Sequence, residues 1–226
     1  MGLGIRTLAV KAWRRIQTWR RQRPRRVIHP LHAERVHVGS GAVLLQGWTN
    51  VDVLDKPGVD VVLDVRDGLP FAGASYIYAE HFIEHLTFDE GVRFLAECRR
   101  ALSDAGVLRL STPNLDWVWM TQYRYPSADP IRDCFALNKG FRGWGHQFLY
   151  NAQTLTAALR ASGFATVLQA SYGESEHAAL RGIERHDRSL DSPEMPHVVI
   201  VEASGRGRST EAIAAAAEDY DWAIHY

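Results

Sequence analysis

The chain has 226 residues, of which 46% are hydrophobic, and its 26 basic residues equal its 26 acidic residues in number. This length suffices for one α/β domain with a sizeable core. No apolar run approaches the length of about 18 residues that a membrane-spanning helix needs, and the sequence lacks the apolar segment of a signal peptide. Cys98 and Cys134 lie far apart and form no metal or redox pattern, so we expect a protein of the reducing cytoplasm.

The first 26 residues contain nine Lys or Arg and no acidic residue. Apolar residues recur between positions 3 and 19 with basic residues between them, which predicts a basic amphipathic helix that ends before Pro24. We assign residues 1–31 to this helix and a linker. Such a helix fits peripheral contact of residues 1–26 with the anionic inner face of a membrane; packing on the chain's own domain and disorder are the alternatives. No pattern elsewhere indicates nucleic-acid binding, and we expect none.

Residues 35–64 contain three short apolar runs rich in Val, which predict buried strands. Gly39 and Gly41 follow the first run, where the backbone can turn sharply and present N–H groups to a ligand. Asp52 and Asp64 close the next two runs, and a carboxylate at the second strand end can bind a ribose diol. The stretch therefore predicts a nucleotide-binding edge; a tight turn between core strands is the alternative.

The connection between the first two predicted strands is unusually short. Five residues separate Gly41 from Gly47, whereas a parallel crossover normally needs a dozen or more, usually with a helix. We therefore expect the first crossover helix to be missing or vestigial.

The remaining chain alternates between strand and helix patterns, which predicts a doubly wound sheet with its ligand over the carboxyl ends of the strands. The predicted strands are residues 75–80, 107–111, 166–173 and 197–204, and the predicted helices are residues 81–102 and 153–163.

The order and spacing of several motifs resemble the class I S-adenosylmethionine-dependent methyltransferases, in particular their compact, methyltransferase type 11-like branch. The matching segments, between residues 37 and 203, are HVGSG, GWTNVDV, DVVLDVRDGLPF, YIYAEHFIEHL, LAECRRALSDAGVLRLSTPNL, GHQFLY, TLTAALRASGF and HVVIVEA. The resemblance implies an α/β, Rossmann-like sheet of seven strands with helices on both faces and the last strand antiparallel. Residues 32–204 would form this domain, with 114–150 as an aromatic insertion and 205–226 as a C-terminal tail.

The same resemblance implies S-adenosyl-L-methionine (SAM) as the cofactor. The matching cofactor-binding residues are Gly39 and Gly41 against the methionine part, Asp52 at the ribose, Asp64 and Val65 at the adenine, and Glu80 near the sulfonium. Two positions depart from the family pattern: its acid two residues before the first glycine is His37 here, and its third glycine is Val43.

Methyl transfer to a hydroxyl group requires collinear placement of donor and acceptor and removal of a proton. We expect His81, at the end of the fourth strand, to be the catalytic base, because an imidazole titrates near neutral pH. His146, within the insertion, is the rival. Glu84 either orients an imidazole or caps the following helix.

The aromatic insertion is too long for a simple connection, which is typical of a lid or binding element. Its Trp117 and Trp144 offer flat faces for an acceptor, although a small satellite core is the alternative. Between the sixth and seventh strands, His177, Arg181 and Glu184 are further candidates for acceptor binding, unless they belong to a solvated helix.

His81, Glu84 and His85 also form the H-x-x-E-H signature of inverted zinc peptidases, for which Glu174, Glu176 or Glu184 would supply a third ligand. Because the other segments match a methyltransferase, we expect no metal.

These patterns together predict a SAM-dependent methyltransferase that O-methylates a hydroxyl of a saccharide or glycolipid. The alternatives are a small-metabolite methyltransferase, a methyltransferase-like binding module without cofactor and, less favoured, a zinc metallopeptidase.

Overall fold

The computed structural model describes residues 31–124, 126–189, 191, 195–208 and 213–225. The predicted basic amphipathic helix, which ends before Pro24, lies outside these residues, so its contact with a membrane stays a prediction. Among the helices that are described, none is long and apolar enough to cross a membrane.

The core of the protein is one seven-stranded sheet in the order β3-β2-β1-β4-β5-β7-β6. Strands β1 to β5 are parallel, and β7 lies antiparallel between β5 and β6. The predicted seven-stranded, Rossmann-like sheet with an antiparallel last strand is therefore confirmed. The strands are β1 (Arg35–Val38), β2 (Thr49–Asp52), β3 (Val61–Val62), β4 (Ala74–Glu80), β5 (Leu102–Pro113), β6 (Phe164–Gln169) and β7 (Val198–Arg206).

Five α-helices are described, and two of them, α1 and α4, cover one face of the sheet. They are α1 (Phe88–Ala101), α2 (Leu115–Trp119), α3 (Pro130–Arg142), α4 (Ala152–Ala161) and α5 (Ala214–His225). Side chains alternate along a strand, so Ile77 and Ala79 of β4 pack in the core under α1 and α4, whereas Tyr78 packs on the opposite face. That second face is covered by loops and a short 3-10 helix, Ala178–Leu180.

Helix α1 begins later than its sequence pattern predicts. Thr87 accepts a hydrogen bond from the Glu90 backbone N–H, and the Glu90 side chain accepts one from the Thr87 N–H, forming a capping box. The preceding residues form a separate 3-10 turn, Ile83–His85. This boundary leaves residues 81–86 free to line a cavity.

The first crossover helix is missing, as predicted, and turns occupy residues 39–48. The buried Asn50 side chain holds these turns: its Oδ1 accepts the Leu45 N–H at 2.9 Å, and its Nδ2 donates to the carbonyls of Leu45 and Trp48. The Asn50 side chain thus fixes these turns through three hydrogen bonds.

The second face of the sheet explains one departure from the family pattern. His37 points into this face, where its ring stacks on Tyr78 at 5.2 Å and its Nδ1 lies 3.2 Å from Asn50 Oδ1. Burial lowers the pKa of His37. Its side chain is thus a core element on the face opposite α1 and α4.

The aromatic insertion is folded. It contains α2, a π-helix at Met120–Arg124, α3 and a 3-10 turn at Gly143–Gly145. Asn114, which caps α2, also pairs with Tyr150 in an isolated bridge, so both ends of the insertion are anchored next to β5.

Candidate active site

Two neighbouring cavities lie at the carboxyl ends of the parallel strands. The order of the sheet reverses between β1 and β4, and in doubly wound sheets ligands bind at this switch point. The smaller β1–β2 cavity has a volume of about 240 Å³ and the larger aromatic cavity about 520 Å³. His81, His85 and Trp144 line both cavities, so groups bound in the two would be neighbours.

The β1–β2 cavity brings together four of the six predicted cofactor residues, namely Gly39, Asp52, Asp64 and Val65. Asp52 Oδ2 accepts the Gly41 N–H at 2.7 Å, and Oδ1 accepts the Leu54 N–H at 2.8 Å. Each carboxylate oxygen has a second lone pair, so Asp52 can still accept hydrogen bonds from a diol.

Position 39 requires glycine because of its backbone conformation and because of the neighbouring Phe82 ring. The φ of Gly39 is 70°, and a Cβ there would clash with the ring of Phe82. Asp64 accepts hydrogen bonds from the backbone and guanidinium of Arg66. The guanidinium also lies 3.5 Å from Glu90, which ties the Asp64 end of the cavity to α1.

Glu80 contacts the chain itself. Its carboxylate accepts hydrogen bonds from His186 Nδ1 at 2.7 Å and from the backbone N–H groups of Arg185 and His186. Burial alone would raise the pKa of Glu80, but the His186 side chain and these N–H groups outweigh it and lower the pKa to about 2. Glu80 therefore anchors the segment around residue 186 and does not line either cavity.

This contact predicts an acid-dependent stability. Because the folded pKa of Glu80 is about 2, below the ordinary 4.5, its stabilisation is complete above pH 4.5 and is lost as the pH falls towards 2. The difference corresponds to about 3 kcal/mol. Urea unfolding of Glu80→Gln should show less stability than wild type at pH 6 and a gap that closes towards pH 2. The exposed control Asp55→Asn should follow wild type, and a pH-independent gap for Glu80→Gln would contradict the assignment.

His81 has an unusual backbone at the end of β4. Its φ is 47°, in the left-handed region, and its N–H donates to the Ser111 carbonyl at 2.9 Å. Strain of this kind concentrates at functional sites. Its Nδ1 lies 3.2 Å from Oε1 of the fully buried Glu84, whose Oε2 accepts the Thr112 hydroxyl at 3.0 Å. Burial would lower the pKa of His81, but the hydrogen bond and charge of Glu84 outweigh it and raise the pKa.

Three residues of the insertion line the aromatic cavity: Trp117, Trp144 and His146. The sequence predicted the two tryptophans for acceptor binding and His146 as the rival base. Trp144 has a φ of 54° and carries the Lys139 ammonium 4.9 Å from its ring centroid. His146 Nδ1 lies 2.9 Å from the Gly140 carbonyl, and burial lowers the pKa of this imidazole.

The H-x-x-E-H segment does not form the single helix of a zinc peptidase site, because His81 belongs to the strand end and Ile83–His85 is a 3-10 turn. Among the described residues, a different group could hold a metal ion: ligand atoms of Glu84, His85 and His146 lie within 4.8 Å of one another.

Three predicted acceptor residues do not line either cavity. Glu184 is buried on the second face of the sheet, where it forms an ion pair with Arg109. His177 packs edge-on against Tyr76, and Arg181 donates to backbone carbonyls within its own loop. The loop covers the second face of the sheet.

Sequence reasoning missed His197, which lines the aromatic cavity. Its Nδ1 lies 2.7 Å from Asp191 Oδ1, and its backbone N–H donates to the same carboxylate oxygen. This is the geometry of an Asp–His pair, in which a carboxylate orients an imidazole. The only available signal was a histidine directly before β7.

No family model and no curated protein matches this chain. Solved structures with some similarity include PigF with SAH, at 16% identity over 76% of this chain and 50% of PigF, with a TM-score of 0.46. A SAM-dependent methyltransferase from Thermotoga maritima has 14% identity, covers 84% of this chain and 87% of its own, and has a TM-score of 0.48. One from Archaeoglobus fulgidus has 15% identity, 86% and 93% coverage, and a TM-score of 0.47.

The chain spans half the length of PigF. The order and directions of the seven strands give a Rossmann-like sheet, which is the fold that the resemblance to the class I methyltransferases implies.

Proposed function

We propose that this chain is a SAM-dependent methyltransferase that O-methylates a hydroxyl group of a saccharide or glycolipid. The observation that carries the proposal is the pair of adjoining cavities at the switch point of the sheet, which share His81, His85 and Trp144. A donor in one cavity and an acceptor in the other would meet at these side chains. Such placement is the main contribution of a protein to an in-line displacement.

The β1–β2 cavity fits the proposed cofactor in its polar groups. Gly39 allows close approach of the backbone, Asp52 has lone pairs for a ribose diol, and Asp64 and Val65 complete the wall. When bound, SAM supplies a sulfonium methyl group: the new C–O bond forms, the C–S electron pair stays on sulfur, and the hydroxyl proton is released. In this proposal His81 accepts that proton at Nε2, which is supported by the position of its Nδ1 3.2 Å from Glu84 Oε1.

Removal of the Asp52 carboxylate should weaken cofactor binding. Loss of hydrogen bonds from a diol to a charged group predicts a decrease in SAM affinity of about 10- to 150-fold for Asp52→Ala, measured by calorimetry. Since Asp52 also holds the Gly41 and Leu54 N–H groups, Asp52→Asn serves as a milder variant. The exposed Asp55→Ala is the matched control, and equal SAM affinity in Asp52→Ala would refute this placement.

The aromatic cavity supports an acceptor with flat apolar faces and many hydroxyls. Trp117 and Trp144 line it, and the indole N–H of Trp117 is buried without a hydrogen-bond partner among the described residues. Sugar rings present an apolar face for stacking and hydroxyls for such a donor, and the imidazoles of His146 and His197 add polar partners.

The acceptor class can be tested with a labelled methyl donor. The purified chain is incubated with extracts separated into glycolipid, polysaccharide, protein and small-molecule fractions. Label in the glycolipid or polysaccharide fraction supports the proposal, and label only in small molecules would favour a small-metabolite methyltransferase. SAM binding without label transfer to any fraction, or no SAM binding at all, would favour a binding module with a methyltransferase fold.

We also propose that the chain works at a membrane surface. A peripheral contact of residues 1–26 with an anionic membrane on the cytoplasmic side would bring the cavities to lipid-linked sugars. Its support is the charge of this segment, nine Lys or Arg without an acid.

A further inference from the structure

Three side chains in the wall of the aromatic cavity have ligand atoms close enough together for a second role, besides the contact of Glu84 with the proposed base His81. Glu84, His85 and His146 each offer one ligand atom, and these atoms lie within 4.8 Å of one another. The two imidazoles are also close as rings, with centroids 5.4 Å apart. Glu84 and His85 belong to the turn after β4, and His146 lies near the end of the insertion. The fold therefore brings His146 next to two residues that lie 61 and 62 positions earlier in the sequence.

Two of these three side chains are already oriented by a neighbour. The Gly140 carbonyl can only accept a hydrogen bond, so His146 Nδ1 carries the proton and its Nε2 lone pair is available. Glu84 is fully buried: Thr112 donates to its Oε2, and its Oε1 lies 3.2 Å from His81 Nδ1. A backbone carbonyl on one imidazole nitrogen and a hydroxyl on the carboxylate are the usual outer partners of metal ligands.

The positions of the two chain segments are also fixed relative to each other. The Gln147 N–H donates to the Glu84 carbonyl at 2.7 Å, and its side-chain amide donates to the His85 carbonyl. Residue 147 follows His146 directly, so these bonds hold all three candidate ligands at one point of the wall. Their ligand atoms lie within 4.8 Å of one another, and ligands of a tetrahedral ion lie roughly 3.4 Å apart, so side-chain rotation would suffice to complete the site.

We propose that Glu84, His85 and His146 bind one divalent transition-metal ion in the aromatic cavity. Two imidazoles and one carboxylate are the ligands that Zn²⁺, Co²⁺ and Fe²⁺ accept, whereas Mg²⁺ and Ca²⁺ prefer oxygen ligands throughout. Three protein ligands leave at least one open position, and this faces the cavity that the same residues line.

The role of the ion rests on the proposed function. His85 lines both cavities, so an acceptor oxygen on the ion would lie beside the donor. A bound ion lowers the pKa of a coordinated hydroxyl and fixes its direction. The site would therefore select acceptors in which the hydroxyl that receives the methyl group can bind a metal.

Metal binding can be measured without donor or acceptor. The full-length chain is stripped with a chelator and titrated with Co²⁺; we expect visible d–d absorption that saturates at one equivalent and that Zn²⁺ displaces. His85→Ala and His146→Ala should each weaken Co²⁺ binding at least about 100-fold, since loss of outer partners alone costs 10–100-fold. The exposed His32→Ala should bind as wild type does.

Absence of a saturable Co²⁺ signal, or equal affinity in His146→Ala and wild type, would overturn the proposal. His146→Ala is the decisive variant, because its side chain is only partly buried and its loss leaves Glu84 and Thr112 paired. Calorimetry with SAM on the same samples separates the two proposals: Co²⁺ binding without SAM binding leaves the metal site standing and counts against the methyltransferase.

Discussion

His81→Ala should lower kcat by about 10²- to 10⁴-fold, far more than it lowers SAM affinity. His81 lies where the two cavities meet, and Glu84 holds its Nδ1, so Nε2 is the nitrogen that can take the hydroxyl proton. The loss should appear in turnover, since a base acts in the transition state. Steady-state rates with an acceptor fraction that takes up label, combined with SAM calorimetry, check both parts.

A second substitution at position 81 separates the loss of the catalytic base from the effect of backbone strain on stability. Alanine tolerates the φ of 47° at position 81 poorly, whereas asparagine adopts the left-handed region more readily. His81→Asn should therefore keep the wild-type unfolding temperature and still lose turnover, while the exposed His32→Ala should keep both. Full activity in His81→Asn would move the role of base to His146 or His197.

Arg109→Leu should destabilise the fold by about 3–5 kcal/mol. Arg109 is fully buried on the second face of the sheet, where its guanidinium pairs with Glu184 and Glu202 and donates to the Ser171 carbonyl at 3.1 Å. Leucine fills similar space but leaves two carboxylates without their cation. Urea denaturation at neutral pH measures the change.

The matched control for this change is Arg93→Leu, an exposed arginine of α1, which should alter the free energy of unfolding by less than about 0.5 kcal/mol. Glu184→Gln tests the sequence-based role of the same cluster. We expect lower stability with an unchanged KM for acceptor. A raised KM at normal stability would instead place Glu184 in acceptor binding, as the sequence pattern predicts.

The sheet was predictable because its signals are local. Short Val-rich runs that end in glycine or aspartate indicate buried strands and their carboxyl ends. Gly39, Asp52 and Asp64 at these ends line one cavity. The absence of the first crossover helix was predictable from the length of the connection between β1 and β2. The few residues between Gly41 and Gly47 cannot form a helical crossover.

Contacts between distant segments were not predictable in this way. Glu80 lies in a segment that resembles a cofactor-binding motif, yet its carboxylate pairs with His186, 106 positions away in the sequence. The Asp191–His197 pair has no periodicity to reveal it. The left-handed backbone at His81 also escaped prediction, because the residues from 81 onwards have an apolar spacing that fits a helix as well as a turn.

The turns at residues 39–48 have a kinetic consequence for the proposed enzyme. A helix N-terminus there would stabilise an anionic ligand group by about 0.3–1 kcal/mol. In SAM that group is the amino-acid carboxylate, whose charge is the same before, during and after transfer. Losing an interaction that is equal in the ground and transition states raises KM for the donor, here about two- to fivefold, and leaves kcat unchanged. Below saturation, the rate of methylation then follows the supply of donor in the cell.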